Sequence, residues 1–382
     1  MKPTFLDLFA GAGGFSCGMS QAGFKCRGAV EVDSFAAATY RQNFSEHVLY
    51  QDDIRFLSKK RIKSEFQDVD VIIAGPPCQG FSVAGLKQYG LFDKRNNLLL
   101  ETLRVVGIIN PSFFVVENVK GILNGHLSFK RDALSHFIKQ AKDLKYQCSV
   151  IKLQAADFGV PQWRERIFII GSKKCLVDDS LFESEKVMEW TRVVDALSDL
   201  PQLDAGEECE DATPYNNKPK SEFQSEIRKA SIGVFNHIAM KHTDRVVERF
   251  KRIPIGGSLV DAPKSFGQRL RNGTKLDVKQ RFKMNNQKLN PFKVSTAITA
   301  SFQSNFVHYR SNRNLTAREG ARLQSFPDSF IFKGPRTLMS KSLLRKENRS
   351  SEIGLSQYNQ IGNAVPPFLA RAVGRVLLKV MK

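Results

Sequence analysis

Residues 71–82 read VIIAGPPCQGFS, and this stretch constrains the chain more than any other. Its first four residues are apolar and mostly β-branched, the pattern of a strand buried on both faces of a parallel sheet. Gly75, Pro76 and Pro77 then stop both helix and ladder. The first side chain beyond the break is Cys78. Open α/β sheets bind ligands at the carboxyl ends of their strands, so a thiol on a rigid turn there is placed for nucleophilic attack. The competing reading is an inert, buried cysteine in a tight turn.

The chain has 382 residues, a length that suits two domains. No apolar run reaches the roughly 18 residues of a membrane span, and no signal peptide is visible, which together suggest a cytoplasmic protein. The six cysteines show no metal-ligand spacing and read as reduced thiols, so no metal is expected. The net charge of +20 suggests a polyanionic partner, against the plainer reading of a merely basic protein.

Residues 4–9 read as a first strand. Ala10, Gly11, Ala12, Gly13 and Gly14 turn it into a helix beginning near Phe15, where glycines admit a ligand close to the backbone and a helix N-terminus offers free N–H groups. A dinucleotide fingerprint would carry a third glycine where Ser16 stands, which disfavours a nicotinamide enzyme. A second strand is expected over 26–32, ending in Glu31, Val32 and Asp33. Glu31 is assigned to ribose hydroxyls and Asp33 to the cap of the next helix. Asp53 is either an acceptor for an adenine amino group or an ordinary turn aspartate.

The polar segment 82–97 has no helix or strand period and reads as a functional or mobile loop. A helix follows over 98–106, then a strand over 112–116 that brings Glu117 to the same crevice as Cys78; the alternative is that Glu117 caps the following helix. An amphipathic helix is expected over 129–144, with strands over 147–153 and 166–171. Arg164 and Arg166 alternate and share a face on extended chain, where guanidinium forks suit carboxylates, phosphates and base carbonyls. Their alternative is a surface salt bridge through Glu165.

Residues 205–231 are polar and aperiodic and read as an inter-domain segment. Residues 241–295 hold 14 Lys and Arg against 4 Asp and Glu, with Asn, Gln, Ser and Gly between them, a composition that suits phosphate and base-edge contacts or a solvated basic face. Within 313–328 a helix is capped by Thr316 and Glu319 and ended by Pro327. Residues 335–350 read as a basic loop. Residues 360–367, QIGNAVPP, precede a last helix over 368–380.

Taken in order, these blocks resemble the motifs of the DNA (cytosine-5)-methyltransferases, from the glycine turn at 7–14 through 75–82, 117–119, 162–166 and 313–328 to 360–367. One departure is Tyr309, where such enzymes often have a proline after the histidine; it bears on the hinge. The resemblance implies an α/β fold, a doubly wound, mostly parallel, Rossmann-like sheet with a second, smaller, irregular target-recognition domain. The catalytic, cofactor-binding domain would be 1–188 with 355–382, and the target-recognition domain with its hinge 189–354. S-adenosyl-L-methionine would be the cofactor, bound by Phe9, Ala10, Gly11, Gly13, Gly14, Glu31, Val32, Asp53, Ile54, Pro77, Leu98, Asn363 and Ala364.

The same resemblance implies that Cys78 adds to C6 of a cytosine turned out of the duplex. Glu117 would hold and protonate N3, Arg166 would contact the base carbonyl, and Arg164 would support the loop and Glu117. The partner would be double-stranded DNA, with a cognate restriction endonuclease acting on the same site as a second partner; the protein would be a monomer and a modification enzyme of bacterial type. A tRNA cytosine-5 methyltransferase of the same fold, or a catalytically silent DNA-binding relative, is the alternative.

Overall fold

The computed structural model describes residues 2–77, 97–123, 130–209, 212–215, 217–269, 285–337 and 341–382. The chain divides into two compact units. The first comprises Met1–Gly159, Arg164–Met188 and Ala364–Lys382, and the second Val160–Trp163 and Glu189–Asn363. Relative to the expected limits, residues 355–363 and the short run 160–163 go with the second unit.

The first unit is built on a seven-stranded sheet. Its strands are β1 (Thr4–Leu8), β2 (Lys25–Val30), β3 (Leu49–Tyr50), β4 (Val71–Ala74), β5 (Phe113–Asn118), β6 (Gln147–Gln154) and β7 (Glu165–Ser172). They lie in the order β3-β2-β1-β4-β5-β7-β6. The first five are mutually parallel, and β7 runs antiparallel to both β5 and β6. The chain starts in the middle, winds out to β3, then returns past β1 to β4. The direction of winding therefore reverses between β1 and β4, where a doubly wound sheet opens a crevice at its carboxyl edge.

Alternation along β1 sorts its side chains onto two faces. Leu6 and Leu8 join a core with Ile72, Phe114, Val116 and Ile169. Helices α3 (Lys59–Glu65), α4 (Asn97–Ile109) and α5 (Lys130–Asp143) cover it through Ile62, Leu103, Val106, Phe137 and Ala141. Phe5 and Asp7 point to the other face, with α1 (Gly14–Ala22) and α2 (Ser34–Asn43). The final helix of the chain, α13 (Pro367–Met381), packs on α1 so closely that a Cβ on Gly18 would lie 2.4 Å from the carbonyl oxygen of Pro367. No residue but glycine allows that approach.

β2 stops at Val30, two residues before its expected end. The Glu31 N–H donates the last bond of the β2–β3 ladder to Tyr50, where β3 itself ends, and Val32 lies beyond it.

The second unit carries α6 (Val193–Leu197), α7 (Glu222–Ile227), α8 (Asp244–Arg252), α9 (Phe302–Asn305), α10 (Ala317–Leu323), α11 (Lys341–Lys346) and α12 (Gln357–Asn363). Three expectations change here. Residues 205–231 are not a linker: α7 lies in them, and its Gln224 is buried and donates to Ser198 and the Val194 carbonyl. Residues 335–350 contain α11 rather than loop alone. The capping box of Thr316 and Glu319 is present, but α10 ends at Leu323, before Pro327, because Ser325 enters the left-handed region with φ 63°.

Three arginines with side chains at most 1% exposed hold this unit together. Arg313 makes a two-pronged pair with Glu319 at 2.7 and 2.8 Å. Arg322 bridges Asp199 and Asp328, reaching the latter at 2.6 and 2.9 Å. Arg318 donates to the carbonyls of Phe235, Pro327 and Phe330. Burial alone would push each carboxyl up, but the guanidinium beside Glu319 and those beside Asp328 hold both below the usual carboxylate range. Removing one partner strands a buried charge, at a cost of about 3–5 kcal/mol. Arg322→Ala is expected to destabilise the protein on that scale in urea unfolding, whereas Arg349→Ala, on an exposed pair with Glu352, should leave the unfolding midpoint nearly unchanged.

Candidate active site

The carboxyl ends of β1, β2, β4 and β5 face one edge of the sheet, and most of the expected site residues lie there. At β1, Phe9 adopts φ 60°, a strained left-handed conformation for an aromatic residue, and starts the glycine turn. Gly13 follows at φ 97°, and a Cβ on it would meet the Phe44 ring at 2.4 Å. By contrast, no atom of the described residues lies within 4 Å of a Cβ built on Gly11 or Gly75. Ala10 packs with Ala29 and Tyr40, and Gly14 begins α1.

Glu31, at the end of β2, is only 8% exposed. Its Oε2 accepts from the Gly11 N–H and its Oε1 from the Asp33 N–H, both at 2.7 Å. Burial pushes its carboxyl up and those backbone donors oppose the shift. Each oxygen keeps a second lone pair for a ligand hydroxyl. Asp33 caps α2, accepting from Phe35 and Ala36. Val32 is 64% exposed, an apolar side chain left at the mouth. Pro77 is exposed and Leu98 half-buried. Asp53 caps the turn Ile54–Phe56 and is gripped by the Arg55 guanidinium, which holds its carboxyl below the usual range. The Ile54 side chain is buried in the core, and its carbonyl accepts from Arg104 Nη2 at 2.7 Å.

The catalytic candidates come together around β5. Glu117 pairs in register with Phe168 of β7, so Arg166, two residues earlier, lies on the same face of the sheet. Arg166 Nε donates to Glu117 Oε1 at 2.7 Å, with both side chains mostly buried. Burial pushes the Glu117 carboxyl up, while Arg166 and then Arg164 pull it down. Glu117 therefore does not cap a helix. Glu165 points to the opposite face and is held by Lys120 at 3.0 Å and Lys152 at 3.5 Å, so it does not bridge the two arginines. Arg164 is 3% exposed; its backbone N–H donates to Gln154 and its Nη2 to the Ala364 carbonyl at 3.3 Å. Burial and the neighbouring Arg166 both disfavour its charge. Asn363 is exposed at the end of α12, in the second unit. Cys78 lies outside the described residues.

Sequence reasoning missed a network beneath the glycine turn. Asp7, 1% exposed, accepts from Ser16 Oγ at 2.6 Å. Ser16 meets the Tyr40 hydroxyl at 2.8 Å, and Tyr40 meets His47 Nδ1 at 3.0 Å. The signal was an acid inside an otherwise apolar strand, TFLDL. Ser16 is thus more than a missing glycine, since its hydroxyl links a buried acid to the phenol.

The family model for C-5 cytosine-specific DNA methylases matches residues 3–379. The chain belongs to this family. The methylase is 42% identical over 374 residues to the Type II methyltransferase M.DdeI of Desulfomicrobium norvegicum, covering 97% of this chain and 87% of that protein. It is 36% identical over 383 residues to the Type II methyltransferase M1.HphI of Haemophilus parahaemolyticus, covering 100% and 88%. Among solved structures, an Escherichia coli prophage-encoded protein described as a DNA modification methyltransferase superposes with a TM-score of 0.75 at 26% identity, covering 100% of this chain and 99% of its own. The Dnmt2 methyltransferase of S. pombe shares the fold, with a TM-score of 0.59 at 16% identity over the whole of both chains. The enzyme transfers a methyl group from a donor to carbon 5 of cytosine in DNA. The family's reaction passes through a covalent adduct on a cytosine turned out of the duplex. Among the described residues, no helix is long and apolar enough to cross a membrane.

Burial pushes the Asp7 carboxyl up to about 7 in the methylase, from an ordinary 3.8. Its folded value lies above its unfolded one, so the unfolded chain loses the proton first as pH rises. Stability contributed by this group is full below pH 4, declines between about pH 4 and 7, and stays reduced above that, by up to about 4 kcal/mol. Asp7→Asn keeps an acceptor for Ser16 without the charge. Its melting temperature relative to the wild type should therefore rise from pH 5 to pH 8; an unchanged difference would show that Asp7 is not buried with a retained proton.

Proposed function

We propose that the methylase is the modification enzyme of a Type II restriction–modification pair, a cytoplasmic monomer that uses S-adenosylmethionine on a specific double-stranded sequence also read by a cognate endonuclease. The observation that carries the reading of the site is the buried Glu117–Arg166 pair at the carboxyl end of β5. The relatives' names support the modification role.

The first unit offers what S-adenosylmethionine needs. Gly11 and Gly75 leave room, Glu31 presents acceptors for ribose hydroxyls, and Phe9, Val32, Pro77 and Leu98 supply apolar surface for the adenine. Asp53 would share its carboxylate between Arg55 and the adenine amino group. Ala10, Gly13, Gly14 and Ile54 would complete the wall, with Ala364 from the C-terminal motif. When bound, the sulfonium supplies an electrophilic methyl carbon.

Cytosine is electron-poor at C6 but not at C5, so C5 must first be made nucleophilic. The Cys78 thiolate adds to C6, and the electron pair of the C5–C6 bond moves into the ring. Glu117, whose carboxyl burial pushes up, holds and protonates N3, which stabilises that charge. Arg166 keeps Glu117 oriented and donates to the base carbonyl, while Arg164 ties Glu117's surroundings to Ala364. After C5 is methylated, loss of its proton returns the electron pair and expels the Cys78 thiolate. Target choice resides between roughly 189 and 309, where basic and amide side chains concentrate.

Bisulfite sequencing of plasmid DNA from cells expressing the chain should reveal methylcytosine at one recurring sequence. Cys78→Ala should abolish methyl transfer and leave DNA binding largely intact, and DNA carrying 5-fluorocytosine at the mapped site should trap the wild type covalently. Glu31→Ala should weaken S-adenosylmethionine binding by about 1–3 kcal/mol in calorimetry. Exchange of 189–309 for the same interval of a relative with a known target should move methylation to the donor's sequence; an active chimera that kept the original site would place recognition elsewhere.

A further inference from the structure

Four Phe or Trp side chains are exposed among the described residues, and three of them belong to one surface of the second unit: Trp163 at 39%, Trp190 at 51% and Phe292 at 72%. They come from distant parts of the chain and are brought together by backbone pairing. Gln162 and Trp163 run parallel to Ser295 and Thr296. The Val193 N–H donates to the Lys293 carbonyl at 3.0 Å and the Val194 N–H to the Pro291 carbonyl at 2.9 Å. The two indoles meet edge to face with centroids 4.6 Å apart. The Phe292 N–H donates to Asn290 Oδ1 at 3.0 Å, a local turn that fixes the backbone behind the exposed ring.

The framework below is firmly held. The buried Gln162 amide donates to the Leu323 carbonyl at 2.7 Å and accepts from Ile298 at 2.9 Å. Aromatic rings left in water on a fixed backbone mark a contact surface rather than a loosely folded corner. The charges indicate which partner. Lys293 is exposed within the patch, and the interval 241–295 that supplies it is strongly basic. A protein-binding patch would have its centre depleted of Lys, whereas aromatic faces beside cationic side chains suit bases and phosphates. Turning a cytosine out of the stack leaves neighbouring bases with uncovered faces, and such faces stack on aromatic side chains whatever their sequence.

We infer that Trp163, Trp190 and Phe292, with Lys293, form an aromatic platform that packs on the substrate DNA, the rings against base or sugar and Lys293 against phosphate. The inference rests on the DNA-methylating activity and adds a contact surface to it. These two tryptophans are the only ones in the chain, so the intact enzyme carries its own reporter.

The test is titration of the full-length wild type, without methyl donor, with an unmethylated duplex containing the site mapped by bisulfite sequencing. Tryptophan emission should be quenched or shifted, and acrylamide should quench the complex less than the free enzyme. Phe292→Ala and Trp190→Ala should each bind the duplex at least about five-fold more weakly by anisotropy, with unchanged melting temperature and donor affinity. Emission and acrylamide quenching that stay constant while anisotropy reports bound DNA would overturn the inference. An emission shift that instead follows protein concentration without DNA would also overturn it, in favour of a second copy of the chain on the patch. Bisulfite sequencing separates the two levels. Methylation by an enzyme with a silent patch defeats the platform alone, and absence of methylation defeats the reading of the activity.

Discussion

A carboxylate taken out of water at a strand end has to be met by something that replaces the water. Three such acids lie on or beside the sheet, and each is met differently. Glu117 is met by a guanidinium, which the antiparallel β7 delivers onto the same face. Glu31 is met by two backbone N–H groups, one from the glycine turn and one from the entry to α2. Asp7 is met by the hydroxyl and the backbone N–H of Ser16, and burial prevails there. The same residue type is thereby put to three uses. An acid beside a guanidinium is held in one orientation, an acid held by backbone donors keeps spare acceptor capacity, and an acid with one neutral partner retains its proton near neutrality.

The second unit solves a different problem. It is irregular, and one of its apolar clusters is small, built on Phe250, Ile253, Ala262 and Val307. Loop carbonyls in such a unit need donors that secondary structure does not supply. Buried arginines provide them. Arg318 alone serves three carbonyls, and Arg313 reaches Leu203 while pairing with Glu319. Arg313, Arg318 and Arg322 face Glu319, Asp199 and Asp328, so this buried cluster is charge-balanced although it is ionic. An interior of this kind fixes loops by their backbones and leaves their outward side chains free to differ, which suits a surface that reads sequence.

The sheet was the easiest part to read from the chain. Short apolar runs alternating with amphipathic segments located β1, β4, β5, α5 and α13 to within a residue or two. The cap at Thr316 was visible because a capping box is a local pattern. Features set by tertiary contact were not visible. β2 ends early because its partners β1 and β3 stop at Leu8 and Tyr50, and α10 ends early because Ser325 takes a positive φ, neither of which leaves a mark on composition. Helix α7 was hidden because its polar Gln224 is satisfied inside the unit rather than by solvent. At the site, Glu117 and both arginines could be named from the chain, but the pairing of Arg166 with Glu117 and of Glu165 with Lys120 follows from strand register, which the sequence does not print. The platform around Trp163 escaped notice for the same reason, since Phe292 is more than 100 residues from either tryptophan in the chain.

Where the excess positive charge is absent says as much as where it is. Around β5 the two arginines face Glu117, with Glu31 and Asp7 on neighbouring strands, and Arg313, Arg318 and Arg322 of the second unit face Glu319, Asp199 and Asp328. Most of the net charge of +20 therefore belongs to lysines and arginines outside these buried clusters. Added salt screens exposed charges strongly and buried pairs weakly. Association with DNA, which releases counterions, should then be governed by a different set of residues from the chemistry at the base. The orientation of Glu117 by Arg166 can stay constant while affinity varies with ionic strength, so the two properties are separable in one molecule. That separation requires the buried Glu117 carboxylate to be neutralised locally, by a partner on its own sheet, and the 2.7 Å contact between β5 and β7 provides it.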